Sequence, residues 1–191
     1  MRQTLICFVA IFFISSVSYA DESRAAFQNR DTGASGVGVR PEGLTIDMDA
    51  SAGHYDVKTV GDLSEISRLA ISFRMTKQYS YAQWPSAAYA SFYQGQDRSH
   101  SFQFLIIKDP GIKESEMAVG YRMIEGGKEK AKVYLATVDA SSYTDATLEF
   151  NKGEIKINYG GQKPIIVKTH FQKVTPYISV SSGMAEFKMH P

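Results

Sequence analysis

The sequence predicts an all-β protein built as a two-sheet antiparallel β-sandwich. Three observations carry this. Apolar residues recur with a period of two in run after run, Gly-containing turns separate the runs, and no stretch holds a helical apolar period for long. Alternation of this kind puts one face of each strand on a core and the other on solvent or ligand.

The elements follow in order. Gly43 to Asp49 alternates, with Leu44, Ile46 and Met48 on one side. Gly61 to Ile66 has the only helical character, and it is too short for more than a turn or two. Leu69, Ile71, Phe73 and Met75 share the inner face of the next strand. A strand over 86–94 ends in Phe92-Tyr93-Gln94-Gly95, and Gln94 to Arg98 reads as a solvated hairpin tip. His100 to Ile107 places Phe102, Phe104 and Ile106 together, and 117–123 does the same for Met117, Val119, Tyr121 and Met123. Further strands are expected at 131–138, 146–150, 154–159, 164–168, 176–181 and 184–189. Asp109-Pro110-Gly111, Gly126-Gly127, Asn151-Lys152-Gly153 and Gly160-Gly161 form turns between them. This gives one domain over 43–191, preceded by a polar, Gly-rich and flexible lead-in over 21–42.

The first twenty residues are of a different kind. One Arg, an uncharged apolar run from Leu5 to Ile14, and small residues at Ser18 and Ala20 read as a secretory signal peptide. Its apolar run is short for a membrane span, so no transmembrane segment is expected in the mature chain. Cleavage after Ala20 removes Arg2 and Cys7, leaving a cysteine-free chain whose acidic and basic residues balance. That composition suits an oxidising compartment and leans towards a bacterial periplasmic or secreted protein.

The charge totals, 21 Lys and Arg against 20 Asp and Glu, exclude an electrostatically driven nucleic-acid binder. The four His residues share no metal-ligand spacing, and no phosphate loop or nucleophile elbow is present, so neither a metal nor a cofactor is expected.

The order of the pieces carries a resemblance. The Phe73 strand leads to the strand closing in Phe92-Tyr93-Gln94-Gly95. Ser101 to Ile107, Gly120-Tyr121-Arg122 and the hairpin of Leu148-Glu149-Phe150 with Ile155-Lys156-Ile157 follow. Pro176 to Val180, a small-residue bend at Ser181-Ser182-Gly183 and Ala185-Glu186-Phe187 complete the series. Over roughly residues 43–189 this resembles the concanavalin A-like lectin/glucanase jelly roll. The resemblance implies a concave, sugar-facing sheet packed on a convex one. The Glu-x-Asp-x-x-Glu strand of the laminarinase-type members is absent, as is the Asp/Asn cluster of a lectin calcium site. No carboxylate pair for a retaining glycosidase can be named, so the catalytic residues stay unknown.

The period-two rule nominates a binding face. With Phe102, Phe104, Ile106, Val119, Tyr121, Val133 and Leu135 in the core, Arg74, Tyr89, Tyr93, Gln103, Arg122 and Tyr134 line the opposite side. Rings cover the C–H faces of sugars, while amide and guanidinium groups bond hydroxyls or acids. The alternative is an ordinary exposed sheet face, where Arg and Tyr are good strand residues. Tyr79, Tyr81 and Trp84 form a second aromatic group, expected to plug one end of the sandwich rather than bind. His100 is expected to be a strand-end polar residue.

These features support an exported, non-catalytic binding module for a glycan or cell-envelope partner. The alternatives are a polysaccharide lyase similar to jelly-roll alginate lyases and a structural envelope or assembly protein. A lyase would use Arg74, Gln94 or Gln103, His100 and a Tyr on a uronate polymer.

Overall fold

The computed structural model describes residues 36–40, 43–80, 84–95 and 97–191; the signal peptide expected at 1–20 and most of the lead-in lie outside them. Eleven strands are present: β1 (Gly36–Arg40), β2 (Gly43–Thr59), β3 (Ile66–Gln78), β4 (Ala87–Gln94), β5 (Asp97–Ile107), β6 (Glu116–Glu125), β7 (Lys128–Asp139), β8 (Thr144–Asn151), β9 (Glu154–Tyr159), β10 (Ile165–Lys168) and β11 (Val174–His190). Each named strand pairs antiparallel with its neighbours.

The two longest strands organise the sandwich. The first half of β11, Val174 to Ser181, pairs with β4, which continues through β5 and β6 to the edge strand β7. Its second half, Gly183 to His190, pairs with β3, which continues through β8 and β9 to β10. β2 runs along the other side of β11 over both halves, with Tyr55 to Thr59 beside the first and Leu44 to Ala50 beside the second. One hydrogen-bonded sheet is thereby bent into two layers.

The bend has a local cause. The register of β11 shifts between Ser181 and Gly183, and Ser182 takes a positive φ of 45°. Ser182 fastens the neighbouring chain there. Its carbonyl accepts from Tyr79 N at 2.9 Å and Ser86 Oγ at 2.6 Å, and its hydroxyl accepts from Gly53 N at 3.1 Å. A Cβ on Gly183 would come within 2.5 Å of the Lys77 carbonyl oxygen, so glycine is required by close approach.

Between the layers lies an apolar core containing Phe73, Phe92, Phe102, Phe104, Phe150 and Phe187, all buried. Phe73 stacks on Phe187 at 5.8 Å within its own layer and meets Phe104 of the other layer edge-on at 6.1 Å. The apolar sets read from the sequence on β3, β5 and β6 lie in this core, with Tyr121 partly buried against it.

Several expectations are corrected. Residues 36–40, assigned to the flexible lead-in, form β1 against β2. The strand expected to end near Asp49 continues to Thr59, and the two strands expected at 176–181 and 184–189 are one. Gly61 to Ile66 forms no helix; Ser64 makes an isolated bridge to Val174 instead. Val133, expected in the core, is 37% exposed because β7 is an edge strand at the margin of the layer. The neighbouring register shift between Val119 and Gly120 leaves Leu135 as the extra residue of a bulge. Tyr79 and Trp84, expected to plug one end of the sandwich, are both partly buried, and Tyr79 donates to Asp49 at 3.3 Å. Tyr81 lies outside the described residues.

Candidate functional site

The β4–β7 layer has a second face, turned away from the core. Strand register aligns its side chains in cross-strand rows. One row runs Tyr177, Ser91, Gln103, Arg122 and Lys132; the next runs Val57, Ser179, Tyr89, Leu105, Gly120 and Tyr134. A third contains Thr175, Tyr93 and Ser101. The alternation that buries Ile178 and Val180 on one side of β11 thus sends Tyr177 and Ser179 to the other.

Five of the six residues nominated from the sequence, Tyr89, Tyr93, Gln103, Arg122 and Tyr134, belong to this layer and face. Arg74 does not. It sits on β3 in the other layer, paired with Glu186 at 3.0 Å and lying 4.5 Å from the centre of the Tyr143 ring. Alternation on β3 places Arg74 opposite Phe73, as the structure does, but a single sequence does not say which strands share a layer.

The face is held by a hydrogen-bonded chain. Gln103 Nε2 donates to the Tyr177 hydroxyl at 3.0 Å, and Arg122 Nε donates to Gln103 Oε1 at 2.6 Å. The guanidinium lies 5.3 Å from the centre of the Tyr89 ring, and its Nη1 is 3.6 Å from Glu129. Tyr55 meets Tyr89 edge-on at 5.8 Å and donates its hydroxyl proton to Ser179 Oγ at 2.8 Å. Tyr93 stacks on Tyr177 with ring centres 3.5 Å apart, and Arg98 lies 5.4 Å from the Tyr93 ring centre. At the margin, Tyr134 donates to Asp109 Oδ2 at 2.9 Å. The Gly111 N–H and the Tyr134 hydroxyl hold the Asp109 carboxyl below its usual range, so it stays ionised.

Tyr55 and Tyr177 belong to this cluster but were not nominated. Tyr177 could have been found from the alternation of Tyr177, Ser179 and Ser181 against Ile178 and Val180. Tyr55 falls in the part of β2 that hydrophobic patterning does not reveal, because Asp49 to His54 breaks the apolar period.

The floor is close-packed. Tyr89, Tyr93, Gln103 and Tyr177 are at most 7% exposed, whereas the Arg122 side chain is 19% exposed and Tyr134 51%. Arg122, Tyr134 and the half-buried Tyr55 are therefore the parts of this face open to solvent, with the buried rings and Gln103 setting their positions. Gly120 contributes by close approach, since a Cβ there would lie 2.2 Å from the Val133 carbonyl oxygen and push β7, with Tyr134, off the layer.

Burial raises the phenol pKa values of Tyr55, Tyr93 and Tyr177, with neighbouring tyrosines adding to the effect for Tyr55 and Tyr93. The protonated form is therefore favoured by folding. Stability from this source is complete below the unfolded-state pKa of about 10 and is lost as pH rises above it, because the unfolded chain then releases protons that the folded chain retains. Alkaline titration should show these three tyrosines ionising only as the protein unfolds. Tyrosinate absorbance rising in full while the circular dichroism spectrum stays native would contradict this.

No family model matches the chain, and no curated protein matches it. Solved structures do. Carbohydrate binding module CBM66 from Bacillus subtilis is 12% identical, with a TM-score of 0.53 over 81% of this chain and 88% of that one. A functionally unknown protein from Saccharomyces cerevisiae gives 0.50 at 11% identity over 80% and 88%, respectively. A sialidase also gives 0.50, at 9% identity; the match covers 81% of this chain but 15% of the sialidase. The fold is a concanavalin A-like jelly roll. In this jelly roll the tyrosine face belongs to the layer that ends in β7, and Arg74 lies on the opposite one. Of the particular residues expected of a lyase, Arg74 is in the other layer and the His100 ring packs on His170 at 5.9 Å, so these two do not join Gln103 on the tyrosine face.

Proposed function

We propose that the protein is an exported, non-catalytic, lectin-like module that binds a glycan on the tyrosine face of its β4–β7 layer. The observation carrying this reading is the Arg122–Gln103–Tyr177 hydrogen-bonded chain set among four tyrosines. The solvent-facing Tyr134 and Tyr55 rings lie beside the Arg122 guanidinium that this chain orients, a combination of apolar ring and fixed donor that suits a sugar. The chemistry of the face favours binding over turnover. Burial holds three of its phenols protonated, and the carboxylates that touch it, Glu129 and Asp109, are engaged by Arg122 and Tyr134. The similarity to a carbohydrate-binding module is one of fold and is consistent with this use. Residues 1–20 are proposed to direct export to the periplasm or the exterior, and mass spectrometry of the protein recovered from its compartment should find the chain beginning at Asp21.

Binding is tested on a glycan array and quantified by calorimetry. Tyr134→Ala should weaken binding of a hit by about fivefold or more while leaving the melting temperature within a degree or two, because the ring is half exposed. Arg74→Gln should leave the affinity unchanged. Equal affinity of Tyr134→Ala and the parent protein, or loss of binding in Arg74→Gln alone, would move the site off this face.

A further inference from the structure

We propose that the ligand of this face is an acidic glycan, a chain bearing carboxylates or sulfate esters, one of which is gripped by Arg122. This rests on the glycan-binding reading above and specifies its ligand class.

The argument begins with how Arg122 is held. Four-fifths of its side chain is out of water, and a buried charge is costly unless it is paired and hydrogen-bonded. The guanidinium carries five N–H donors. Its Nε bonds Gln103 at 2.6 Å, but the Nη1–Glu129 separation of 3.6 Å is an ion pair longer than a hydrogen bond. The Nη side, which has the fork geometry that matches a carboxylate or sulfate, is therefore the unsaturated part of the group.

The fork is also fixed in place. Gln103 clamps Nε on one side while its own Nε2 is committed to Tyr177, and the Tyr89 ring lies beneath the guanidinium. A guanidinium oriented before the ligand arrives loses less conformational freedom on binding. The nearby phenols are neutral. Arg98 and Lys132 are further cations beside the face, where Glu129 and Asp109 are engaged by Arg122 and Tyr134. An anionic sugar completes the fork.

The test compares matched pairs that differ only in charge: oligogalacturonate against its methyl ester, and dextran sulfate against dextran, each titrated into the full protein. The charged member of at least one pair should bind about tenfold or more tightly, the scale of one charge-assisted bond. Preference within the first pair alone identifies a carboxylate ligand, and within the second alone a sulfate. Arg122→Gln should abolish the preference. Arg122→Lys, which keeps the charge but not the fork and guards against a folding defect, should retain only part of it. Arg74→Gln, removing the same charge from the other layer, should leave it intact. Equal affinity within both pairs, a preference that survives Arg122→Gln, or one that falls as far in Arg74→Gln would overturn the inference while leaving glycan binding in place. Failure to bind any glycan would instead remove the reading on which it rests.

Discussion

Phe73→Ala should destabilise the protein by about 3–5 kcal/mol, a large part of the roughly 5–15 kcal/mol that a domain of this kind possesses. Phe73 is fully buried and contacts aromatic rings in both layers, Phe187 beside it and Phe104 across the core. Truncation removes the transfer free energy of the ring and leaves a void between sheets that share hydrogen-bonded strands and cannot close freely. Urea denaturation followed by circular dichroism measures the loss. A destabilisation below about 1 kcal/mol would mean that the layers do not meet at this ring.

Gly183→Ala should cost at least about 2–3 kcal/mol, through backbone collision rather than cavity formation. The added methyl would sit 2.5 Å from the Lys77 carbonyl oxygen and equally close to the Met75 methyl. The thioether can rotate away, but the carbonyl belongs to β3 and cannot. Relief requires β11 to separate from β3 at the bend, which shifts Ser181 and Ser179 relative to Tyr89 and Tyr55. Thermal melts should register the loss of stability, and calorimetry of the same variant should show weaker glycan binding. A variant that melts with the parent would show that the bend tolerates a side chain and that its geometry comes from the Ser182 bonds alone.

The sequence made the strands readable and left the layers hidden. Leu69, Ile71, Phe73 and Met75 announce an inner face because each alternates with a small or polar neighbour, and the structure buries all four. The same rule separated Gln103 from Phe102 and Phe104, and Arg122 from Tyr121. It failed where the backbone departs from simple pleating. Ser181-Ser182-Gly183 looks like a break between strands, yet the break is a bulge within one. Beyond Val119 the register of β7 gains a residue at Leu135, which still packs against the core, while Val133 at the edge is left 37% exposed. Arg74 was misplaced for a different reason. Local alternation identifies the side of a strand, whereas assigning that strand to a layer depends on pairings such as β3 with β11, which join residues more than a hundred positions apart.

The central position of β11 also governs the order in which the protein can be made. β11 borders β2, β3 and β4, and it follows the other ten described strands along the chain. Until it emerges, β3 and β4 have no strand between them and β2 has no partner for most of its length, so a nascent chain holds hairpins without a sandwich. Acquisition of structure therefore waits on long-range pairing with β11 and is slow by the standards of local folds.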